Sequence, residues 1–501
     1  MNMKMKALVV ACSMALAGQA MALTPAVVAA DATAGTLVTL KLSGSSALQN
    51  AISEVSEDLC QSGTIDEFWD GTATTASGSN FRAVACTAKT TGSVVPGLII
   101  PTSIGGKPLL IYDTAKGGSI YGVNPVATGS LVGFVDYTTC GSSSVTTNSL
   151  THEPVWTCTG SLNTATDAGI SDVEPATMEA PVNLTVVAGV PVFSALTSAQ
   201  LASLKVSAVV GQVFGVTVNG TTAMGSASPA TAPMLAMTKA QVAAIMSGNT
   251  SDWAMIDPSI GTGNSIMVIC RRQSGSGSQA SLNAGIMGNP CSSTNLPPLM
   301  YSDSQLANGI GSTSPALAAD VVVVENSSTG NLGHCMTYAQ KGGVTGTYAG
   351  LAIDLTTGAI GAPNANSVVL PGAATTPTYA IGIIGLDHGV GSDWYQNTAL
   401  NGNAPSLASA VAGTYDLVVE STWNRPAAMA AGAKLDLYTT LVKEVSSPVV
   451  LGGGVAGGQV VPGILALSEN HYAASATFTA SNPVIRVGNF GNTCRPLQQL
   501  Q

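Results

Sequence analysis

Charged residues are scarce in this sequence. Lysine and arginine together number 17 and aspartate and glutamate 27, so only 9% of the 501 residues are charged, against about 25% in an ordinary soluble domain. The formal net charge is −10, and no basic cluster is available to neutralise a phosphate backbone. These features exclude nucleic acid as a partner. They favour an extracellular or self-associated state, although Ser, Thr and Asn also keep such a surface hydrated.

Long apolar runs and metal-binding motifs are lacking as well. The longest apolar candidate after the N-terminus, Pro448–Leu467, contains six glycines and Pro462, which argues for a loop or irregular strand and against a membrane helix. There is no Cys-x-x-Cys pair, and the four histidines are scattered singly. We therefore expect no metal site and no cofactor.

The N-terminus has the three parts of a secretory signal. Met1–Lys6 carries two lysines, an apolar run follows, and Ala20–Met21–Ala22 provides a small-residue cleavage site. We therefore expect residues 1–22 to be a signal peptide and the mature protein to be periplasmic or secreted. A lipoprotein signal at Cys12 is the weaker alternative, because the apolar stretch before that cysteine is short.

Eight cysteines remain after cleavage, an even number that suits an oxidising compartment. We expect all of them to form disulfides, although sequence does not fix the connectivity. Closeness along the chain suggests three pairs and leaves a fourth by elimination: Cys60–Cys86, Cys140–Cys158, Cys270–Cys291 and Cys335–Cys494.

One polar turn has the composition of an anion site. Residues 266–272 predict a buried strand that ends in Arg271 and Arg272, residues 273–278 a Gly-Ser turn, and residues 279–284 the start of a helix. Glycines allow close backbone approach, free N–H groups at a helix start favour an anion, and arginine offers a planar fork to an oxyanion. Gly-Ser runs are also common in flexible linkers, but the double arginine after an apolar strand favours the site.

Apolar periodicity alternates between strand and helix along the chain. It predicts strands at Leu37–Leu42, Val206–Val218, Val321–Glu325 and Tyr379–Leu386, and helices at Leu48–Leu59 and Thr238–Met246. This alternation predicts an α/β architecture in two lobes. Residues 60–163, rich in Thr, Gly and Ser, predict loops and small β-ribbons.

Five segments, in this order, resemble the periplasmic phosphate-binding proteins that serve ABC transporters. They are Leu42–Ser46, Asp167–Asp172, Met237–Thr238 with Gly248–Trp253, Arg271–Ser278, and Leu400–Pro405 with Gly413–Tyr415 and Arg425–Pro426. The resemblance implies the two-lobed α/β fold of type II periplasmic binding proteins, with a hinge between the lobes. The Gly/Thr-rich loops and β-ribbons are then insertions in that fold.

The resemblance also implies a set of ligand-binding residues. It places a carboxylate at Asp172, a cation at Arg272, and hydroxyl or amide donors at Ser46, Ser119, Ser276, Gly277 and Ser278. A carboxylate that accepts a hydrogen bond needs a proton on its partner, so Asp172 would favour protonated phosphate over sulfate. Ser274 departs from the family, which commonly has an acidic residue there to orient the arginine.

Three other groups of residues are expected to be structural. Glu54, Glu57 and Asp58 look like a solvated helix face, and Asp387–His388 looks like a surface loop. Trp253 and Tyr415 are expected to lie in the core. No residue is predicted to be catalytic.

The resemblance predicts how the chain is divided. We expect one lobe from residues 36–188 with 376–450, a second from 189–375, and a C-terminal extension at 451–501. Insertions at 60–165 and 327–378 would roof the cleft, associate with a second copy or bind another partner.

The function implied is that of a binding protein and not an enzyme. It would capture inorganic phosphate or a related oxyanion and deliver it to an ABC permease in the inner membrane. One alternative is an extracellular structural, adhesive or filament-forming protein that reuses the fold, favoured by the low charge, the disulfides and the insertions. Another is a phosphatase-like secreted enzyme, for which the sequence offers no identifiable nucleophile or metal.

Overall fold

The structure is a computed structural model, and it describes most of the chain between residues 22 and 499. The described residues are 22–71, 80–141, 145–149, 151–184, 186–187, 190–218, 236–250, 253–258, 267–298, 321–326, 328–341, 352–354, 360–361, 367–369, 379–388, 395–454, 461–467, 470, 479 and 481–499. The predicted signal peptide, residues 1–22, falls outside them except for Ala22, and so does most of the insertion at 327–378.

The strands are numbered in chain order. Those before residue 200 are β1 (Val38–Gly44), β2 (Asp66–Asp70), β3 (Phe81–Thr87), β4 (Pro108–Thr114), β5 (Leu131–Val135), β6 (Thr146–Thr147), β7 (Pro154–Cys158), β8 (Ser161–Ala165), β9 (Ala168–Ser171), β10 (Val186–Val187) and β11 (Val190–Pro191). Those after it are β12 (Leu204–Val218), β13 (Ala236–Met237), β14 (Met267–Arg272), β15 (Val321–Asn326), β16 (Ala352–Asp354), β17 (Ile360–Gly361), β18 (Ser367–Val369), β19 (Tyr379–Gly385), β20 (Gln396–Asn397), β21 (Ala399–Leu400), β22 (Val418–Pro426), β23 (Ile464–Leu467), β24 (Val484–Ile485), β25 (Val487–Gly488) and β26 (Gln498–Gln499).

The α-helices of the described residues are numbered in the same way. They are α1 (Pro25–Ala34), α2 (Gln49–Leu59), α3 (Asn124–Thr128), α4 (Pro175–Met178), α5 (Ser198–Ala202), α6 (Lys239–Met246), α7 (Gly277–Gly285), α8 (Thr329–Lys341), α9 (Leu407–Val411), α10 (Ala433–Val445) and α11 (Pro448–Leu451). None of them is long and apolar enough to cross a membrane.

One mixed β-sheet runs through both lobes. Its strands lie in the order β15-β14-β19-β12-β22-β9-β1-β4-β3-β2-β7-β6. In the first lobe β1 is parallel to β4 and β9, and in the second lobe β14 is parallel to β15 and β19. The 15-residue strand β12 pairs with β22 along its first part and with β19 along its last part. The fold is therefore a two-lobed α/β protein in which β12 and β22 join the lobes.

Apolar side chains cover both faces of the first lobe's sheet. Leu40 and Leu42 of β1 pack with Ile52 of α2 on one face. On the other face Tyr112 of β4 packs with Phe134 in a separate cluster. Successive strand residues point to opposite faces, and in β1 the apolar Val38, Leu40 and Leu42 alternate with polar residues.

A third cluster spans β12, β14 and β19 and extends to the hinge. Trp253 and Tyr415 both lie in it with 1% exposure, which confirms that they are core residues. The Tyr415 hydroxyl donates to the Phe214 carbonyl at 2.7 Å.

Four disulfides link the eight cysteines, but two of the predicted pairs are wrong. Cys60–Cys86 and Cys140–Cys158 are confirmed. The predicted Cys270–Cys291 and Cys335–Cys494 are replaced in the structure by Cys270–Cys335 and Cys291–Cys494. The reason is packing, because α8, which carries Cys335, lies against β14, which carries Cys270.

Three other expectations need correction. Residues 60–163 do form a ribbon at β5 and β8, but β2, β3, β4 and β7 of the same region extend the main sheet. Tyr379–Gly385, expected in the first lobe, pairs with β14 of the second; the rest of the lobe division stays a prediction. Glu54 and Asp58 are only 8% and 2% exposed, because α10 packs against α2.

Candidate functional site

The first turn of the site follows β1. Gly44 has φ 129°, and a Cβ there would lie 2.0 Å from the Ile170 carbonyl oxygen, so only glycine fits. The Ser45 amide donates to that same oxygen at 2.9 Å, and the Ser45 hydroxyl donates to Asp172 Oδ1. Ser46, the residue expected to face the ligand, is exposed immediately beyond Ser45.

Asp172 is the buried acid of the site. It follows β9 directly and is 2% exposed. Besides Ser45, Oδ1 accepts a 3.4 Å hydrogen bond from Gln212 Nε2, and the Asp172 amide donates to Ser119 Oγ at 3.2 Å. Burial raises the pKa of Asp172, while its hydrogen bonds and the charge of Arg272 oppose that shift.

A short 3₁₀ turn, Ser119–Gly122, holds Ser119 against the second lobe. The Ile120 amide donates to the Gly275 carbonyl at 3.1 Å. A Cβ on Gly118, which has φ 79°, would lie 2.9 Å from that carbonyl oxygen. The backbones of the two lobes are therefore in direct contact at this point.

Arg272 lies at the end of β14 and is 6% exposed. Its Nε donates to the Asn326 carbonyl at 3.2 Å and its Nη1 to Thr329 Oγ1 at 2.9 Å. Burial lowers the pKa of Arg272 to about 10, and the charge of Asp172 opposes the shift. Both of these acceptors are uncharged, and position 274 is a serine that is 7% exposed.

The nine-residue helix α7 begins beside Arg272. Ser276 is its N-cap, 3% exposed and without a side-chain capping bond, and Ser278 is half-buried in the first turn. A Cβ on Gly277 would lie 2.2 Å from Ser119 Oγ and 2.5 Å from Asp172 Oδ2. The positive end of α7 thus faces Asp172 and Ser119 of the other lobe.

The structure brings together several of the residues that the sequence predicted for the site, and it adds others in contact with them. Ser119, Asp172, Arg272, Ser276 and Gly277 are brought together, with Ser278 at the margin and Ser46 outside. The missed residues are Ser45, Gln212, Asn326, Thr329 and Asp387. Ser45 lay in a motif assigned to the site and Asp387 was expected in a surface loop; Gln212, Asn326 and Thr329 come near the site through contacts between distant segments that sequence does not show.

Asp387 is not in a simple surface loop as expected. It is partly buried, and burial together with the negative charge of Asp172 raises its pKa to about 7. The two acids therefore sense each other electrostatically. Among the described residues, no three His, Cys, Asp or Glu side chains form a group that could hold a metal ion.

A C-terminal strap, residues 487–495, crosses the edge of this region. The amides of Asn489, Phe490 and Gly491 all donate to the Glu420 carboxylate, the first at 2.6 Å. The Thr493 amide donates to Glu174 Oε1 at 3.1 Å, two residues after Asp172.

The strap is also tied covalently to the second lobe. Cys494 is bonded to Cys291, which follows α7 by a few residues, and both cysteines are exposed. The strap therefore connects the segment that carries Asp172 to the segment that carries the α7 helix.

Several solved structures resemble the two-lobed α/β fold described above. A phosphate ABC transporter substrate-binding protein from Clostridium perfringens, solved with bound phosphate, is 11% identical over 82% of this chain and 93% of its own, with a TM-score of 0.38. PstS from Borrelia burgdorferi is 11% identical over the same shares, with a TM-score of 0.32. An ABC-type phosphate transport receptor from Vibrio cholerae is 13% identical over 55% of this chain and 74% of its own, with a TM-score of 0.29.

No protein-family model and no curated protein matches the chain.

Proposed function

We propose that the chain is an extracytoplasmic solute-binding protein that captures inorganic phosphate or a related oxyanion between its lobes, without chemical turnover. The observation that carries this proposal is the meeting of a buried acid, Asp172, with the N-terminus of α7 and the buried guanidinium of Arg272. Amides and a cation favour an anion at this point, and the acid selects among anions.

The selection depends on protons. An ionised Asp172 can only accept hydrogen bonds, so a phosphate oxygen that carries a proton satisfies it. Sulfate carries no proton near neutral pH and would place two unpaired oxygens against each other, which disfavours it. Phosphate would therefore bind in preference to sulfate.

Entry of the ligand requires the lobes to separate. Asp172 Oδ2 lies so close to Gly277 that an added Cβ would come within 2.5 Å of it. An anion would have to displace this contact, and bending of β12 and β22 is the motion that the sheet allows. Delivery to a membrane permease is the transport role that we propose for the loaded form.

Four disulfides support a location outside the cytoplasm. They are expected to persist in the periplasm or outside the cell, where thiols are oxidised. We therefore propose a periplasmic or secreted protein.

The test is calorimetric titration of the mature protein with phosphate and then sulfate, after removal of bound anion by unfolding and refolding with the disulfides intact. We expect tight phosphate binding and weak sulfate binding in the parent. Asp172→Asn should improve sulfate binding relative to phosphate, because the amide donates a hydrogen bond to an unprotonated oxygen.

Two results would contradict these expectations. A variant that discriminates as the parent does would refute the role of Asp172. A folded parent that gives no heat with either anion would refute the binding function and favour the structural alternative.

A further inference from the structure

Ser45 is fixed as a hydrogen-bond donor to the acid of the site. It lies in the turn after β1 and is 3% exposed. Its hydroxyl oxygen accepts a hydrogen bond from the Ala47 amide at 3.1 Å, and its hydroxyl donates to Asp172 Oδ1. A serine hydroxyl has a single proton to donate. In this turn that proton is directed at the carboxylate.

The two carboxylate oxygens of Asp172 have different surroundings. Oδ1 accepts the hydroxyl of Ser45 and, at 3.4 Å, the side-chain amide of Gln212, which also donates to Ser421 Oγ at 2.6 Å. Oδ2 faces the start of α7, where a Cβ on Gly277 would lie 2.5 Å from it. Oδ1 is therefore held by the turn after β1 and by β12, and Oδ2 is the oxygen directed at the second lobe.

The donors around Asp172 favour its ionised form. Burial raises the pKa of Asp172, and the hydrogen bond from Ser45 is the largest of the effects that oppose this shift. The charge of Arg272, from β14, acts in the same direction as Ser45, whereas Asp387, which follows β19, repels Asp172. Because a hydrogen bond to the charged form stabilises that form, loss of the Ser45 hydroxyl makes Asp172 easier to protonate.

We infer that Ser45 is a positioning residue of the anion site, whose hydroxyl holds Oδ1 and stabilises ionised Asp172, so that Oδ2 is left to accept the proton of phosphate. The inference rests on the proposed function. A protonated Asp172 can donate a hydrogen bond to sulfate, and selection against sulfate then fails. Ser45 therefore sets the pH below which the site ceases to distinguish the two anions.

Sulfate is the probe for this role, because sulfate itself does not titrate between pH 4.5 and pH 8. Its affinity for the mature protein, measured by calorimetry over that range, should be weak at neutral pH and should increase as Asp172 gains a proton. In Ser45→Ala this increase should begin about one to two pH units higher than in the parent, as expected for the loss of a hydrogen bond to a charged group. Ser45→Thr, which keeps the hydroxyl, should follow the parent.

Two further variants show whether Ser45 acts through the carboxylate. Ser43→Ala is the matched control, because Ser43 is a buried serine of β1 whose hydroxyl donates to the Tyr121 carbonyl at 2.8 Å. Its sulfate profile should follow the parent. Ser45→Ala/Asp172→Asn should have the same profile as Asp172→Asn alone, because an amide at position 172 does not titrate.

A measurement without anions separates this inference from the proposed function. Removal of the Ser45 hydrogen bond raises the folded-state pKa of Asp172 further. The melting temperature of Ser45→Ala should therefore fall relative to the parent as the pH rises through that pKa. The difference should be smallest at low pH, where Asp172 is protonated in both proteins, and it should not depend on pH when position 172 is asparagine.

The outcomes are distinct. This fall in melting temperature without binding of phosphate or sulfate would refute the binding function and, with it, the role of Ser45 in selection. Phosphate binding with superimposable sulfate profiles for Ser45→Ala and the parent would overturn the inference while leaving the function in place. A shift of the profile that persists with asparagine at position 172 would also overturn it, because Ser45 would then act through the shape of the turn.

Discussion

Arg272 carries the positive charge of the proposed site, and the way it is held determines how much of that charge reaches a ligand. Its bonds to the Asn326 carbonyl and the Thr329 hydroxyl, both uncharged acceptors, help to fix the guanidinium. We therefore expect the guanidinium to keep its orientation with a serine at position 274.

Arg272→Ala should remove most oxyanion affinity. Each charge-assisted hydrogen bond contributes roughly 1.5–3 kcal/mol, so loss of even one weakens binding at least about tenfold. Arg272→Lys should bind with intermediate affinity, because it keeps the charge but not the planar fork. The affinity for phosphate is measured by calorimetry. The control is Lys205→Ala, a substitution at an exposed residue of β12. Parent-like affinity in a folded Arg272→Ala would show that the anion binds elsewhere.

At the scale of elements, the start of α7 is the feature on which the two lobes close. Gly277 has no side chain, and this allows the helix to approach Ser119 and Asp172. A side chain at position 277 would push the helix away, and its N-terminal amides would then lie farther from Asp172.

Gly277→Ala should therefore destabilise the closed form. The added methyl group meets Ser119 Oγ at 2.2 Å and Asp172 at 2.5 Å, and such overpacking typically costs about 1–3 kcal/mol. Gly330→Ala in α8 is the matched control, since its nearest neighbour, Ser328 Oγ, lies 3.9 Å away. Thermal unfolding and phosphate titration should both show a loss for the first variant only. Equal behaviour of the two variants would mean that the lobes do not close on Gly277.

How much could be predicted differs between elements for a physical reason. The strands at 38–44, 204–218, 267–272, 321–326 and 379–385 were predictable, because a buried strand has an apolar run bounded by polar turns. The capping box of Thr238 with Gln241 likewise marks the start of α6 locally. Such features depend on neighbours in sequence.

What could not be predicted depends on contacts between distant segments. Ser45 and not Ser46 faces Asp172 because the turn after Gly44 is set by the Ile170 carbonyl on another strand. Asp387 looked like part of a surface loop, because its link to Asp172 arises only when β19 lies between β14 and β12. The prediction of Cys270–Cys291 failed for the same reason, since proximity in the chain does not reveal that α8 packs on β14.

At the scale of the whole molecule, the C-terminal strap connects the two sides of the proposed site. Glu420 of the hinge strand β22 and Glu174 after β9 bind its backbone, and the Cys291–Cys494 disulfide ties it to the chain after α7. Opening of the lobes would have to stretch or release one of these attachments.

Replacing the disulfide in Cys291→Ser/Cys494→Ser should have two effects. The free energy of unfolding should fall by about 2–4 kcal/mol, as is typical for a native disulfide. Phosphate should also dissociate faster, which stopped-flow measurements can record, because the lobes separate more easily. Cys140→Ser/Cys158→Ser is the control, since that pair lies in the first lobe; it should lower stability without changing dissociation. Equal dissociation rates in both double variants would show that the strap does not restrain the lobes.

The disulfide pattern also imposes an order on the making of the protein. Cys291 lies between Cys270 and Cys335 in the sequence, yet its partner is 203 residues farther on. During synthesis, Cys270 and Cys335 are therefore both present long before Cys494, the native partner of Cys291. The packing of α8 on β14 brings Cys270 and Cys335 together and so favours their pairing over pairing with Cys291. A chain that stopped short of residue 494 would carry an unpaired thiol at 291 on its surface.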